Sequence, residues 1–569
     1  MDTELDMGKY GVSSSRSKKK AGSQASGWNV EDNSTATLIS DFKRLNIDKE
    51  RLERYADEAG DARYASKINT KKLRESSISK TLANIDLSMQ VDLCFVLDCT
   101  GSMGRHIAAA KDCILQVVNY MERTNPSIKL WVGFCGYRDH CDSSKRIQIF
   151  NFTNSYSQFK RYISNEVPAT GGGDEPEDVL GGLNAAVNNM NWRHTTRVLL
   201  HVGDAPPHGR RFTSLSDSYP HGDPNGLTAE SVLGKMKSAN IIYYFGKITD
   251  KTDKMLRVFS SIIGEFPVFE LSTIGGDPNA LINKFFKATC TAIASSVSLT
   301  STMEKGAKGV YMQQKKKLEM DPNQPKWHTL PVETGKVSYY RLPESLSDIK
   351  NPDYFTNKSN LINQNFSYKR APKPFSVGAE RYAYYALNVT NGASDKNVMK
   401  EYLDVGKKAN SIERYLETVE VSTVAHFLSL KFNSAAERVD IHRKVKFLKV
   451  QLLRKTSGSD TRCYTVERLF NGAEFKRFNV NSGVITEFHS TLEAFAHFTY
   501  EHTGGYLVVY DLQGIELEDK FLLTDPAVHC TDSLRFGRTN LGKKGIEKCF
   551  LANHKCSSVC QKLGLTPRS

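Results

Sequence analysis

Residues 90–104 read Gln90-Val91-Asp92-Leu93-Cys94-Phe95-Val96-Leu97-Asp98-Cys99-Thr100-Gly101-Ser102-Met103-Gly104. The run from Val91 to Asp98 is almost wholly apolar and too short for a helix, so it predicts a strand buried on both faces, as inside a parallel sheet. Asp98 ends the run, Thr100 and Ser102 follow at steps of two, and Gly104 opens the next helix. Open α/β sheets place ligands at the loops leaving the carboxyl ends of such strands. A carboxylate and two hydroxyls are hard oxygen donors suited to Mg²⁺. Capping of the helix by Ser102 is the plainer use of that hydroxyl.

Similar strand-like runs occur at Leu130–Tyr137, Arg197–Gly203, Ile241–Lys247 and Pro267–Leu271, alternating with helical patterns and closed by a helix at Asn279–Val297. That alternation predicts helices over both faces of a parallel sheet. Two more loops carry polar residues: Thr170-Gly171-Gly172-Gly173-Asp174, ahead of a helix starting near Pro176, and Gly203-Asp204-Ala205-Pro206-Pro207-His208. With the Asp98 loop they resemble the metal-ion-dependent adhesion site of the von Willebrand factor A domain. The resemblance implies a doubly wound α/β sheet with Mg²⁺ held by Asp98, Thr100, Ser102, Thr170 and Asp204. It also implies a protein partner whose acidic residue completes the coordination.

The C-terminal third mixes strand-like runs (Tyr382–Val389, Val445–Leu453, Tyr506–Asp511) with helices expected at Ser411–Asn433, Thr491–Glu501 and Lys544–Ala552, which predicts an α+β domain. Gly537-Arg538-Thr539-Asn540-Leu541-Gly542-Lys543-Lys544 approaches a phosphate-binding P-loop. It has Lys544 where that motif needs a Ser or Thr, and no apolar strand leads directly into it, which argues against a P-loop ATPase. His-Arg-Asp and Asp-Phe-Gly, the words of ordinary protein kinases, are missing too.

The domain instead carries polar residues at strand ends. Gly378-Ala379-Glu380-Arg381 precedes an apolar strand and Lys400 sits in Val398-Met399-Lys400-Glu401-Tyr402. Glu467 follows Tyr464-Thr465-Val466, and Asp511-Leu512-Gln513-Gly514 and Leu523-Thr524-Asp525-Pro526 each follow apolar steps. Phosphoryl transfer needs little more than a lysine on the phosphates, carboxylates on Mg²⁺ and a base near the acceptor hydroxyl. The ordered set, with His497-Phe498-Thr499-Tyr500-Glu501, resembles the α-kinases, the atypical protein kinases that include the myosin heavy chain kinases and elongation factor 2 kinase.

That resemblance implies an ATP-dependent, two-lobed Ser/Thr protein kinase acting on protein substrates, myosin heavy chain-like ones among them. Lys400 would bind the ATP phosphates with Arg381, Gly378 and Ala379. Glu467 would meet the adenine, and Gln513 and Asp525 would hold Mg²⁺. Asp511 or Asp525 would stand nearest the chemistry, base and metal ligand being interchangeable at this stage. Gly537, Asn540, Gly542 and Gly545 would form a loop serving the peptide substrate, with Thr539 where glycine is common.

His554-Lys555-Cys556-Ser557-Ser558-Val559-Cys560 offers one imidazole and two thiols, and His497 can supply a fourth ligand. The α-kinase resemblance implies that these four residues hold a structural Zn²⁺; a closed site of this kind welds segments together and activates no water.

The expected layout is a basic disordered tail (1–37), a helical lead-in (38–88, with Leu45, Leu52, Tyr55 and Ala59 at helical spacing), an A domain (89–298), a connector (299–370) and the kinase domain (371–569). Over 569 residues, 77 Lys and Arg against 63 Asp and Glu give a net charge of +14, a background that suits anionic partners without choosing among them. No basic stripe interleaved with aromatics points to specific nucleic acid. The run Arg16–Lys20 could touch anionic lipid at an endomembrane, or be no more than a solvated tail. Eleven irregularly spaced cysteines and the lack of a signal peptide or long apolar span predict reduced thiols and a cytoplasmic protein. Nothing in the tail or the helices shows a sustained heptad, so oligomeric state is open. A non-catalytic scaffold with an inert kinase-like domain is the competing reading; loss of the lysine or the metal carboxylates would have favoured it, and all are present.

Overall fold

The computed structural model describes residues 70–273, 277–301, 318–378, 380–403, 411–457 and 460–568. The basic tail, Leu45 to Ala59 and Ala379 lie outside them. Helix α1, Thr70–Ser88, buries Arg74, Ile78, Leu82 and Ile85 along one side.

The first sheet contains β1 (Gln90–Asp98), β2 (Lys129–Tyr137), β3 (Ile147–Thr153), β4 (Thr196–Gly203), β5 (Ile241–Lys247) and β6 (Val268–Glu270), in the order β3-β2-β1-β4-β5-β6. Only β3 runs antiparallel to its neighbour. Between these strands lie α2 (Gly104–Thr124), α3 (Tyr156–Glu166), α4 (Val179–Asn189), α5 (Ala229–Ser238) and α6 (Asp253–Ile263); α7 (Pro278–Ser301) follows β6.

The pleat of β1 explains why its sequence reads apolar at nearly every step. Val91, Leu93, Phe95 and Leu97 face the core built with α2, α3 and α7, while Cys94 and Val96 face the one built with α4, α5 and α6. The order reverses at β1, and the loops after β1 and β4 meet beside that switch point, where ligands bind in such sheets.

The segment expected as a connector contributes two strands: β7 (Glu333–Tyr340), the strand anticipated at Lys336–Leu342, and β8 (Leu361–Arg370). With β9 (Ser376–Val377), β10 (Arg381–Asn388), β11 (Asp395–Tyr402), β13 (Gln451–Ser457) and β14 (Asp460–Arg468) they form a sheet ordered β11-β14-β13-β7-β8-β10-β9. An additional β10–β11 pairing closes it into a ring filled by Phe366, Tyr368, Tyr384, Met399, Leu453 and Tyr464. The ring needs β7 and β8, so this unit begins well before residue 371.

Helix α8 (Ile412–Glu437) follows the ring strand β11 and packs against a smaller sheet ordered β12-β18-β17-β15: β12 (Lys444–Phe447), β15 (Phe475–Arg477), β17 (Gln513–Glu516) and β18 (Lys520–Thr524). The apolar stretch Val445–Leu453 is therefore broken between two sheets, β12 in one and β13 in the other. Helix α9 (Ser490–His502), the antiparallel pair β16 (Leu507–Tyr510) and β19 (Ala527–Cys530), and helix α10 (Ser558–Lys562) complete the unit. Lys544–Ala552, expected as one helix, is a short α-helical turn followed by a π-helical one. Val480, Val484, Leu541 and Cys549 belong to the same apolar cluster as α1, α2 and α7, so the two units share a core. Among the described residues no helix is long and apolar enough to cross a membrane.

Candidate functional site

Strand β11 pairs with β10 on one side and β14 on the other, which sets Lys400 between Ala383 and Thr465. Its ammonium meets Asp525 Oδ2 at 2.7 Å and also pairs with Glu467 Oε1. Arg381, at the start of β10, reaches the other Asp525 oxygen at 2.6 Å and donates to Thr465 Oγ1 at 3.3 Å. Thr524 Oγ1 donates to Glu467 Oε2 at 2.7 Å. Two cations from the ring thus converge on one carboxylate from the smaller sheet.

Both Glu467 oxygens are engaged, one by Lys400 and the other by Thr524, so the residue expected to meet the adenine also holds Lys400. Burial would raise Asp525, but Arg381 and Lys400 outweigh it and hold the carboxyl well below its ordinary range. Burial also raises Glu467, a rise that Lys400 only partly offsets.

Gln513 and Asp511 stand beside this group. Gln513 donates its amide to the Asp525 carbonyl at 3.2 Å and accepts from Arg477 Nε at 3.2 Å. Asp511 and Asp525 adopt left-handed φ values of 54° and 48°, a conformation aspartate tolerates and one that turns each chain sharply at a strand end. Asp511 Oδ1 is buried without a hydrogen-bond partner, and burial pushes its carboxyl up to about 7, with Arg477 opposing and Asp525 adding to the rise. Gly378 sits at the mouth, exposed, its N–H on the Arg381 carbonyl at 2.8 Å.

The residues expected to serve the peptide substrate form the frame of their loop. Asn540 is fully buried: its amide donates to Asp532 O (2.7 Å) and Arg535 O (2.8 Å), and its oxygen accepts from Cys530 N (2.9 Å) and Gly542 N (2.8 Å). Gly537 and Gly542 take φ values of +73° and +69°, and a Cβ on Gly545 would stand 2.4 Å from that of Leu541. The exposed side chains are Arg538, Lys543 and Lys544. Arg74 of α1 anchors the loop from outside, donating to the carbonyls of Ser533 (3.4 Å), Gly537 (3.2 Å), Arg538 (3.0 Å) and Asn540 (2.7 Å).

In the first unit, Asp98 Oδ1 accepts from Thr100 N at 2.9 Å and Thr100 Oγ1 at 2.7 Å, while Oδ2 is buried and unpartnered. Thr170 N donates to Cys99 O at 3.1 Å and Gly101 N to Gly171 O at 3.4 Å, pinning the second loop against the first. Ser102 and Thr170 are exposed and Asp204 half-buried. Burial pushes Asp98 up to about 7, with Thr100 opposing and Asp204 adding. The sequence reading overlooked Glu177, which burial, then the Asp98 charge, drives up to about 10.

The C-terminal ligand set also comes together. Cys556 Sγ lies 3.6 Å from His497 Nδ1 and 3.9 Å from His554 Nε2, and Cys560 Sγ lies 3.7 Å from His554 Nε2. All four donor atoms fall within 4.8 Å of one another. Burial would raise the Cys560 thiol, but His497 and His554 beside it bring it down to about 5.

Residues 376–560 match the Alpha-kinase family and residues 92–214 match the von Willebrand factor A domain. Alpha-protein kinase vwkA of Dictyostelium discoideum is 33% identical over 510 residues, 87% of this chain and 79% of that protein.

The chain belongs to the α-kinase family.

It is an atypical, ATP-dependent protein kinase carrying a von Willebrand factor A domain. Other relatives match about a third of the chain. Myosin heavy chain kinase B of Dictyostelium discoideum is 37% identical over 199 residues, 35% of this chain and 25% of its own length. The elongation factor 2 kinase of Mus musculus is 28% identical over 206 residues, 35% of this chain and 27% of its own length. In this α-kinase the sequence reading also missed Arg477, Thr524 and Arg74; each acts through a partner distant in sequence, which no local pattern signals.

Proposed function

We propose that this α-kinase phosphorylates Ser or Thr of protein substrates, myosin heavy chain-like coiled coils among them, in the cleft between the ring of strands and the smaller sheet. The convergence of Lys400 and Arg381 on Asp525 carries the reading: it sets two cations where phosphates need them, beside a carboxylate able to hold Mg²⁺. Lys400 and Arg381 bind the phosphates, with Gly378 at the entrance, and Glu467 orients Lys400. Asp525 and Gln513 fit an octahedral Mg²⁺ that neutralises phosphate charge.

Asp511, with its unpartnered Oδ1, is the residue we assign as base. Its carboxylate takes the acceptor hydroxyl proton while the hydroxyl oxygen bonds to the γ-phosphorus and the bond to the β-bridging oxygen breaks, releasing ADP.

We read residues 89–298 as a doubly wound A-type module and residues 333–569 as a two-lobed kinase, in the cytoplasm, with residues 1–37 as the tail that can touch a membrane. Asp98, Thr100, Ser102, Thr170 and Asp204 fit Mg²⁺, because Asp98 Oδ2 is buried without a hydrogen-bond partner and the Asp204 carboxylate stands near enough to raise it. The module would recruit a protein through an acidic side chain on that ion. His497, His554, Cys556 and Cys560 fit Zn²⁺, since two imidazoles and two thiols at mutual distances near 3.7 Å match the edges of a tetrahedral site. That ion would fasten the C-terminus to α9.

The test is nucleotide binding. A fluorescent ATP analogue with Mg²⁺ should bind the wild type and bind Lys400→Ala at least 10-fold more weakly, since a charged contact to phosphate is worth about 1.5–3 kcal/mol. Equal binding by both would refute the assignment.

A further inference from the structure

A second group of donors in the A domain belongs neither to the Asp98 loops nor to the kinase. His140 follows β2, Asp178 caps α4, and Asp223 lies in the loop between β4 and α5. Their side chains are 6%, 0% and 3% exposed, and His140 Nε2 stands 3.6 Å from Asp178 Oδ1 and 3.4 Å from Asp223 Oδ2. Neither His140 Nε2 nor Asp223 Oδ2 has a hydrogen-bond partner. The donor atoms of all three lie within 4.8 Å of one another, facing a small pocket also lined by Glu177, Pro207 and His208.

His208, in the same region, shows how a histidine serves two carboxylates through hydrogen bonds: one ring nitrogen on Asp217 at 2.7 Å, the other on Asp139 at 2.9 Å. His140 is arranged differently. A single nitrogen faces two carboxylate oxygens, both beyond good hydrogen-bond distance, and one N–H cannot serve both. One ion can. With metal–nitrogen and metal–oxygen bonds near 2.0–2.2 Å, the edge of a tetrahedral site is about 3.3–3.5 Å. The spacing also parallels the 3.6–3.9 Å separations among the C-terminal histidines and cysteines.

Each carboxylate is already held in place. Asp223 Oδ1 accepts from Asn225 N (2.7 Å) and Leu227 N (3.1 Å); Asp178 Oδ1 accepts from Gly181 N (2.8 Å), and Oδ2 pairs with Arg146. Such outer contacts fix the orientation of metal ligands.

We propose that His140, Asp178 and Asp223 bind a zinc-class divalent cation, distinct from the Mg²⁺ of the Asp98 loops. Imidazole with carboxylates suits Zn²⁺ or Co²⁺ better than Mg²⁺, and three protein ligands leave one place for water. The ion ties together three segments of the A domain, and it lies close to Glu177, whose Oε2 is likewise buried and unpartnered.

Full-length protein is loaded with Zn²⁺ in excess Mg²⁺, desalted and analysed for metal per chain, beside His140→Asn and Asp223→Asn. Both variants should hold one zinc equivalent fewer than wild type. With Co²⁺ as the probe, the thiolate charge-transfer band of the C-terminal site should be unchanged in both while the weaker visible absorption falls. Melting curves in chelator check that the variants fold. Zinc content equal to wild type in either folded variant, or loss of the thiolate band along with the equivalent, would overturn the proposal.

Discussion

Replacing Arg74 by alanine tests whether the helix before the A domain governs substrate placement in the kinase. One guanidinium donates to four backbone carbonyls of the loop that follows β19, and two of these bonds, to Gly537 and Asn540, are buried. A buried acceptor left without its donor costs about 1–3 kcal/mol, so the two give about 2–6 kcal/mol if nothing relaxes. Water reaching the part-buried carbonyls of Ser533 and Arg538 places the effect near the lower bound, about 2 kcal/mol or roughly 30-fold in the docked population. Lys400, Arg381 and Asp525 pair with one another and with Glu467 and Thr465, not with this loop, so the cost should fall on protein substrate. Steady-state phosphorylation of a coiled-coil peptide carrying Ser and Thr should show a KM for peptide raised about 10- to 30-fold. The KM for ATP should stay put, and Lys80→Ala, exposed on the same helix, should behave as wild type. An unchanged peptide KM, or a fall in rate that follows only the folded fraction, would refute the reasoning.

Stripping Zn²⁺ with a strong chelator should lower the melting temperature of the C-terminal unit and abolish phosphotransfer, with recovery on adding zinc; an unchanged melt and activity would contradict the four-ligand site. Mg²⁺ should raise the melting temperature of the wild type through the Asp98 loops and fail to do so in Asp98→Asn, read by calorimetry on a kinase-silent Lys400→Ala background. Gly514→Ala should cost about 3 kcal/mol and lower activity along with the melt, because φ is +153° and the new Cβ would stand 2.1 Å from Leu522 O.

The parallel strands were legible to within about a residue because burial on both faces writes a continuous apolar run, as in Val91–Leu97 and Ile241–Phe245. Edge strand β3 escaped notice: Ile147–Thr153 is half-exposed and mixes Gln148 and Asn151 into the run. Strand β8, with Asn363, Gln364 and Asn365 in its middle, is held by pairing with β7 and β10, so its own composition says little. Site residues that share a short segment, such as Asp98, Thr100 and Ser102, could be read directly. Lys400 and Asp525 are 125 positions apart and Arg74 and Asn540 are 466 apart, so their meeting is a product of topology. That Asn540 braces its loop from inside was not legible, because a buried, satisfied asparagine and a solvent-facing one have the same letter.

We place phosphoryl transfer where Lys400 and Arg381 meet Asp525. Incorporation of γ-phosphate into protein substrates by purified full-length enzyme with Mg²⁺, beside Lys400→Ala, Asp511→Ala and Asp525→Ala, tests it most directly. The wild type should transfer phosphate and each folded variant should lose at least about 100-fold, the scale expected when a group stabilising the transition state is removed. Undiminished transfer by any of the three would contradict it.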